Sequence, residues 1–524
     1  MTALICHPLR QARSAVPGAA LGAAVLKKLR TTTSRASVAT TWLVGIALMS
    51  GCAVTAPPGS VDTPLPTQWY ANMATAAPGE GLPHNASLNN LSAWWQLQND
   101  ALLVEMIDAA QRIGPSVITA RANIAQARAT RATSAGALLP SLDGVGSLSR
   151  GSVVQGAAPG GGGGTGSAIA TTTHLGLQTS WDIDVFGKNV ARRDAAQERL
   201  LASQAQWHDA RVVVAAEVAG QYYSYRSCEK QLALTALDAQ SRGETSRLTA
   251  LATQAGFGAP AVAALARASA AEGAARLTQQ RAQCAIIVKA LVALTAIEEP
   301  ALNQKLGQSL AGEPDGPPQR SITSLARVPA QALGQRPDVY SAARDVSAAS
   351  FDVGSAAAAR LPRLSLTGNI GTGRTRAGGM QQSFDTWSFG PLALTLPLLD
   401  GGVSQGNLDV ANARYEEAVG RYKTVVRVAV REVEEALVNL QSTADRAGNT
   451  EVAAEGFRAS FAGTEARYKA GLASLVELEE SRRTLLAAQG ALISLQLERR
   501  NAWIALYRAL GGGWRADTNT DAAP

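Results

Sequence analysis

The sequence predicts an α+β membrane protein that is built from an internal tandem repeat. Three observations lead to this prediction: residues that recur at one constant offset, apolar and polar residues that alternate, and long stretches without proline. The recurrence indicates duplication, the alternation indicates strands, and the proline-free stretches indicate long helices. We therefore expect each half to contain a helix, a strand pair, a long helix, a tight turn and a returning helix.

The repeat consists of matching residues that lie 215 positions apart along the 524-residue chain. An offset that stays constant through long segments indicates a duplicated structural unit rather than a catalytic site. The matching pairs are Gly187 with Gly402, Glu217-Val218 with Glu432-Val433, Ala255-Gly256 with Ala470-Gly471, and Ala290-Leu291 with Ala505-Leu506.

A strand pair is expected in each half. Between Leu175 and Val185, apolar residues alternate with polar ones, the pattern of a strand that is wet on one face. A matching strand from Leu142 to about Val154 precedes it across a glycine-rich loop, and Pro391 marks a change of phase in the second pair. Four strands cannot close a barrel, but three copies would supply twelve, as in an outer-membrane barrel. The two strand pairs are expected at about 140–186 and 362–399.

Long helices are expected after each strand pair, because no proline lies between Trp181 and Pro260 or between Pro397 and Pro524. A helix over 190–253 would be about 96 Å long, and its many small residues suit packed antiparallel coiled coils. The predicted helical hairpins are 190–295 and 402–511, and a shorter helix at 100–137 is interrupted near Gly114-Pro115.

These elements predict the domain organisation of the folded part. The first repeat spans 94–299, a proline-rich connector spans 300–335, the second repeat spans 336–513, and a tail follows at 514–524.

The N-terminal region predicts export from the cytoplasm. Residues 1–51 contain six basic and no acidic residues, and the apolar stretch Val38 to Met49 ends at small residues before Cys52. This is the pattern of a secretory signal peptide, and a stretch of about 12 residues is too short to span a bilayer as a helix. Residues 52–93, rich in Pro, Thr, Ala and Gly, suit an extended tether.

The basic character of the chain resides mostly in this leader. The whole chain has 48 basic and 41 acidic residues, and 42 basic residues remain once the six of the leader are removed. The body is therefore close to neutral, which gives no support for a nucleic-acid partner.

Cys228 and Cys284 are the cysteines of the body. If a helical hairpin turns near Phe257, the two residues lie 29 and 27 positions from the turn and thus at nearly the same height. A disulfide is expected in an oxidising compartment, given a suitable Cα separation. The alternative is a pair of small buried apolar residues on facing helices.

Two sets of motifs resemble known families. Met49-Ser50-Gly51-Cys52 resembles a bacterial lipobox, which implies a covalent lipid on Cys52, and Ala53 resembles the outer-membrane sorting pattern. The alternative is a soluble secreted protein with a cysteine at this position by chance.

The body resembles the outer-membrane efflux protein family, the TolC-like outer membrane factors, in its NodT-type lipoprotein branch. The stretches that carry this resemblance are Trp181 to Lys188 (WDIDVFGK), Gln335 to Val339 (QRPDV), Leu361 to Gly368 (LPRLSLTG), Arg467 to Leu472 (RYKAGL) and Ala509 to Trp514 (ALGGGW).

The resemblance covers about Trp94 to Trp514 and implies a homotrimer. In that family a twelve-stranded transmembrane β-barrel is continued by a long periplasmic α-helical barrel. The implied duct does no chemistry and carries no cofactor other than the lipid. Its implied partners are outer-membrane lipid, a periplasmic adaptor and an inner-membrane transporter of the resistance-nodulation-division (RND) type, which drives drugs through it.

The resemblance also implies functional positions at the two helix-to-helix turns. Gly256 and Phe257 in the first turn, and Gly471 and Leu472 in the second, would contact the adaptor, or else merely cap the coiled coils. Glu477 and Glu480 match acidic positions at the pore constriction, where a trimer would present rings that favour cations. The alternative is a solvated helix face. Tyr468 matches a gate residue, although Ala473 replaces its frequent arginine partner.

Enzymatic and metal-binding readings find little support. His84, His174 and His208 show no metal-ligand spacing, and the GxGxxG pattern at 161–166 lies in a low-complexity loop before a strand. With only five methionines, a duct for soft metals is not favoured.

Two other functions remain open. One is the export duct of a type I protein secretion system. The other is a periplasmic adaptor lipoprotein, although an adaptor has one hairpin rather than two. The substrate cannot be inferred from a passive conduit.

Overall fold

The computed structural model describes residues 56–63, 69–71, 95–96, 100–154, 167–311, 333, 336–377 and 379–514. The predictions for the leader, for Cys52, for most of the tether, for the start of the fold at Trp94 and for most of the connector and tail lie outside these residues.

The first two helices are α1 (Ala101–Ile113) and α2 (Pro115–Gly136). The side chain of Asp100 caps α1, since its Oδ1 accepts a hydrogen bond from the Leu103 amide at 3.1 Å. Gly114 separates the helices and Pro115 begins α2, a position where proline loses no helical hydrogen bond. The predicted interruption of helix 100–137 is therefore a true break.

Four antiparallel strands form one sheet in sequence order, β1 (Ser141–Val154), β2 (Ser167–Ile183), β3 (Arg363–Ala377) and β4 (Met380–Thr395). Two predicted boundaries need correction. β2 ends at Ile183, because the Val185 amide instead bonds to the Ile183 carbonyl in a turn, and β4 ends at Thr395 rather than at 399.

The change of phase at Pro391 is a register shift in the sheet. Gly368 lies opposite Phe389, whereas Leu366 lies opposite Leu392, so the pair Gly390 and Pro391 of β4 faces the single residue Thr367 and β4 has one extra residue at this point. The Gly390-Pro391 peptide bond in that pair is cis. This single extra residue keeps the apolar side chains of β4 on one face on both sides of the shift.

Two long helical hairpins follow the strand pairs. The first consists of α3 (Lys188–Gln254) and α4 (Pro260–Thr295). The second consists of α7 (Val403–Lys469) and α8 (Leu475–Ala509). Helices α3 and α7 each have 67 residues, which corresponds to about 100 Å. Each follows a glycine with positive φ, Gly187 or Gly402, where a residue with a Cβ would be strained.

Two shorter helices lie between the hairpins, α5 (Glu299–Ala311) and α6 (Pro337–Ala358). Helix α5 corrects the expectation that the connector from 300 onwards interrupts the helices. Pro300 lies in the first turn of α5, where proline is tolerated, so it does not end the helix.

The main core lies where α1, α3, α4, α7 and α8 pack together. Tyr222, Leu291 and Leu506 are fully or almost fully buried there. Ala215, Ala219 and Ala429 are buried on the long helices, and such small side chains let the helix backbones approach closely. None of the helices that the structure describes is both long enough and apolar enough to span a membrane.

Arg336 joins the second half of the chain to two other helices. Its guanidinium binds Asp338 at 2.7 Å, Glu432 of α7 at 2.8 Å and the carbonyl of Ala509 at the end of α8 at 2.9 Å. These buried contacts give the Arg336-Pro337-Asp338 motif a structural role rather than a chemical one. Burial of the adjacent Asp209 carboxyl raises its pKa to about 6, and the negative charge of the nearby Asp338 adds to this effect.

Candidate functional site

The two helix-to-helix turns have the same backbone geometry. After α3, Gly256 has φ 80° and the Phe257 amide bonds to the Ala252 carbonyl at 2.8 Å. After α7, Gly471 has φ 75° and the Leu472 amide bonds to the Arg467 carbonyl at 2.8 Å. Both are Schellman motifs, in which a glycine in the left-handed region satisfies the last helical carbonyls. The matching glycines of the repeat therefore have one shared conformational role.

Each turn presents a large apolar side chain to solvent. Phe257 is 89% exposed and Leu472 is 70% exposed in the isolated chain. Because the backbone bonds at the turns need no side chain, these residues are not required for the caps themselves. This is the arrangement expected of side chains that contact another protein.

A small separate core stabilises the second turn. Leu475 and Leu478 of α8 pack with Ala266 of α4, and Phe461 and Tyr468 of α7 pack against them. The hydroxyl of Tyr468 lies 3.4 Å from Thr249 Oγ1 on α3. Tyr468 therefore connects the second hairpin to the first, and its gate role stays a prediction.

Glu477 and Glu480 lie together on the exposed face of α8. Ser474 caps this helix, because its hydroxyl accepts a hydrogen bond from the Glu477 amide at 3.1 Å. The two carboxylates line a groove of about 570 Å³ between α7 and α8. Arg467 lies 3.8 Å from Glu477, and Arg483 pairs with Glu480.

Glu479 points away from this groove into a buried ion cluster of four charged residues. The other members are Asp238 and Arg242 of α3 and Arg482 of α8. Arg242 contacts both Asp238 at 2.9 Å and Glu479 at 3.0 Å, and the Ser269 hydroxyl of α4 donates to Glu479 at 2.8 Å. The cluster thus joins α8 to both helices of the first hairpin.

Sequence reasoning did not find this ion cluster. Asp238 and Arg242 are four residues apart, and Glu479 and Arg482 are three apart, spacings that are common on solvated helix faces. The signal that distinguishes them is burial, with side-chain exposures of 2% for Asp238 and 3% for Arg482. Burial of these positions depends on the contact between hairpins, which periodicity within one helix does not reveal.

Cys228 of α3 and Cys284 of α4 form a disulfide, with their Cα atoms 5.6 Å apart. The Gln280 amide lies 3.2 Å from the Cys228 sulfur. Among the residues that the structure describes, no group of three or more His, Cys, Asp or Glu residues could hold a metal ion.

Comparisons with solved structures identify the fold. The outer membrane channel CmeC of Campylobacter jejuni superposes with a TM-score of 0.73 over 90% of this chain and 97% of its own, at 22% identity. The architecture of strand pairs and long hairpins is that of an outer-membrane channel.

Comparisons of sequence identify the family. The outer membrane efflux protein model matches residues 106–296 and 328–512. The outer membrane protein OprJ of Pseudomonas aeruginosa is 31% identical over 67% of this chain and 72% of its own. The solvent efflux pump outer membrane protein SrpC of Pseudomonas putida is 26% identical over 91% of this chain and 98% of its own. The chain belongs to the outer membrane efflux protein family, and it acts in the outer membrane as the channel component of an efflux pump.

Proposed function

We propose that three copies of this chain form one continuous exit duct for toxic small molecules. The observation that carries the proposal is the sheet, in which β1 and β4 each have a single neighbour and thus an unpaired edge. An open edge is costly in lipid because its backbone groups find no partners. Pairing β4 of one copy with β1 of the next removes every edge and gives twelve strands from four per copy.

The long hairpins extend the duct away from the barrel. At about 100 Å, α3 and α7 are long enough to cross much of the space between two membranes. Three copies would supply twelve helical segments around one axis, from α3, α4, α7 and α8 of each. The internal repeat explains why two hairpins of one chain can take equivalent places in such a ring.

The tips of the hairpins form the entrance and the contact with the partners. Phe257 and Leu472 fit the apolar contact of a periplasmic adaptor, which would connect the duct to an inner-membrane RND transporter. Glu477 and Glu480, repeated three times, would form acidic rings that favour cations. Tyr468 and the buried ion cluster would hold the hairpins together when the entrance is closed.

A lipid on Cys52 would anchor the chain in the outer membrane. Support comes from the lipobox-like sequence and from the short distance along the chain to Pro57, which already contacts the folded body at Ser350.

Accumulation of cationic dyes and apolar solvents in a strain that lacks this chain tests the proposal. We expect several-fold higher accumulation than in the parent strain, and recovery when the chain is supplied in trans. Unchanged accumulation would remove the efflux role. Loss of a secreted protein with normal accumulation would instead favour a protein-export duct.

The acidic rings have a test of their own. We expect Glu477→Gln combined with Glu480→Gln to lower the cation selectivity of the purified trimer in planar bilayers, since the rings lose their charge. Glu451→Gln combined with Glu455→Gln is the matched control, because these exposed carboxylates lie on α7 farther from the turn. Selectivity that is unchanged in the first pair would contradict the rings and leave the duct in place.

A further inference from the structure

The sheet has one apolar face and one polar face. Large apolar side chains of all four strands lie on the first face and are exposed in the isolated chain, with Trp387 at 79% and Phe389 at 83%. The register places them on one side, since Leu177 lies opposite Ile370, and Ile370 lies opposite Trp387. The opposite face carries polar side chains, among them Asp143, His174, Gln178 and Asn369. In a barrel that spans a membrane, the apolar face points outward to lipid.

Near the strand turns, at the end far from the helices, this outward face becomes basic. Arg150 of β1 and Arg376 of β3 lie in one row across the sheet, since each is opposite Thr171 of β2. Arg374 lies in the neighbouring row, opposite Thr173. Arg150 is two residues from Leu148 on β1, and Arg374 and Arg376 are four and six residues from Ile370 on β3. An even spacing along a strand puts side chains on the same face, so the three arginines point outward, and all three are exposed.

The arginines lie at the height expected for the edge of the hydrocarbon. From Leu364 to Arg374 is ten residues along β3. At roughly 3.4 Å per residue and a tilt of about 40°, this corresponds to about 26 Å along the membrane normal. The outward apolar band of such barrels is about 25 Å tall. Arg374 therefore lies at the outer boundary of this band, and Arg376 lies just beyond it.

The three arginines keep a positive charge available. Among the described residues none of them forms an ion pair with a carboxylate; Arg376 donates a hydrogen bond to the neutral side chain of Gln381 at 2.7 Å. Asp385 shares the outward face one row closer to the apolar band, opposite Thr372. Three arginines and one aspartate leave a net charge of +2 per chain on this patch.

The spacing of the arginines suits a phosphorylated ligand. Arg150 and Arg376 lie two strands apart, so their Cα atoms are separated by roughly 10 Å. Long side chains can close that distance around a phosphate, and guanidinium groups bind phosphate oxygens in pairs. The hydroxyls of Thr171 and Thr173 lie between them as further donors.

We propose that Arg150, Arg374 and Arg376 bind the phosphate groups of the phosphorylated glycolipid in the outer leaflet of the outer membrane. The apolar side chains below them contact its acyl chains. In a closed barrel the patch recurs three times around the circumference. This inference rests on the proposed trimeric barrel, because the outward direction of the patch follows from it.

The test is a titration of the purified trimer in detergent with fluorescent diphosphorylated lipid A, read by anisotropy. The key variant combines Arg150→Gln, Arg374→Gln and Arg376→Gln, and we expect it to bind at least about tenfold more weakly at low ionic strength. The matched control is Arg363→Gln, at the opposite end of β3 and on its other face, which we expect to bind within about twofold of the unchanged protein. Equal affinity of the triple variant would overturn the proposal.

Two further arms use the unchanged protein, so the proposal can be decided even if the triple variant is not recovered as a trimer. Dephosphorylated lipid A should bind at least about tenfold more weakly, and binding as tight as that of the phosphorylated form would overturn the proposal. Inorganic phosphate should not compete at millimolar concentration, and effective competition would show a site for free anions instead of lipid.

Efflux is measured separately in cells. A chain that binds the glycolipid but exports nothing refutes the duct alone, and the reverse result refutes the lipid site alone.

Discussion

The ion cluster near the tips is the part of the molecule where single residues have the largest expected effect. Its two arginines and two carboxylates balance in charge, and Arg242 and Arg482 each contact Glu479 directly. The net contribution of such buried ion pairs to stability is often small, because desolvation offsets their attraction. Removal of one partner is different, since it leaves an uncompensated buried charge and costs about 3–5 kcal/mol.

We predict that Arg482→Ala weakens the contact between α8 and the first hairpin by about 3–5 kcal/mol. The variant should show a lower melting temperature and a higher conductance in planar bilayers, because the hairpins separate more easily. Arg483→Ala is the control: the neighbouring side chain is 69% exposed and, among the described residues, its ion pair is with Glu480. Surface pairs of this kind contribute less than about 1 kcal/mol.

The two variants together distinguish a link between hairpins from a general effect of charge. If Arg482→Ala melts and conducts like Arg483→Ala, the ion cluster does not hold the hairpins. If both variants conduct more than the unchanged protein, the charge of the entrance is responsible instead of the buried contact.

At the level of elements, the two hairpins share their turns but differ in how their helices are joined. The α3–α4 hairpin has the Cys228–Cys284 disulfide, while α7 and α8 contain no cysteine. The bridge lies about two-thirds of the way along α4, far from the turn. It therefore fixes the relative height of α3 and α4 and leaves the turn at Phe257 available as the proposed contact surface.

We predict that Cys228→Ala combined with Cys284→Ala lowers the melting temperature of the purified protein. The bridge closes a loop of 56 residues, for which loop-closure entropy gives at most about 4 kcal/mol. A reductant should lower the melting temperature of the unchanged protein by a similar amount and leave the double variant unaffected. Alkylation of both thiols without prior reduction would show that the bridge is absent in the folded protein.

The elements were largely predictable because their signals are local. Alternation along Leu175 to Ile183 and the absence of proline after Trp181 depend only on neighbouring residues. The constant offset of 215 also fixed the correspondence of the turns. The ends of β2 and β4 were predicted less well, because apolar residues such as Val185 and Leu398 continue the pattern beyond the last ladder bond.

Features that depend on contacts between distant segments could not be read from the sequence. The buried ion cluster looks like ordinary surface pairs until α8 is placed against α3. The helix α5 was missed because a proline in its first turn resembles a helix breaker when the turn is not known. The left-handed conformation of Gly256 and Gly471 differs in this respect, because glycine at a helix end is a sequence signal of its own.

At the level of the whole molecule, an N-terminal segment fastens the start of the chain to the folded body. The carboxylate of Glu434 on α7 accepts hydrogen bonds from the amides of Tyr70 and Ala71, both at 2.8 Å. Trp69 is buried in the main core. Nearer the N-terminus, the Tyr415 hydroxyl donates to the Pro58 carbonyl at 2.8 Å. The described parts of this segment, 56–63 and 69–71, thus contact the folded body.

We predict that Glu434→Ala releases this segment. Loss of two hydrogen bonds to a charged acceptor should lower the free energy of local opening by about 2 kcal/mol, which is roughly a thirtyfold change in the open population. Limited digestion with chymotrypsin, which cleaves after Trp69 and Tyr70, should accelerate accordingly, since slow cleavage follows the population of the open form.

Glu435→Ala is the matched control. Among the described residues, the ion pair of this exposed neighbour is with Arg431 at 3.5 Å, so digestion of the variant should keep the original rate. In membranes, the released fragment should carry the proposed lipid of Cys52, while the rest of the chain stays in the outer membrane through the proposed barrel. A variant that is digested no faster than the control would show that the Glu434 hydrogen bonds do not hold the segment.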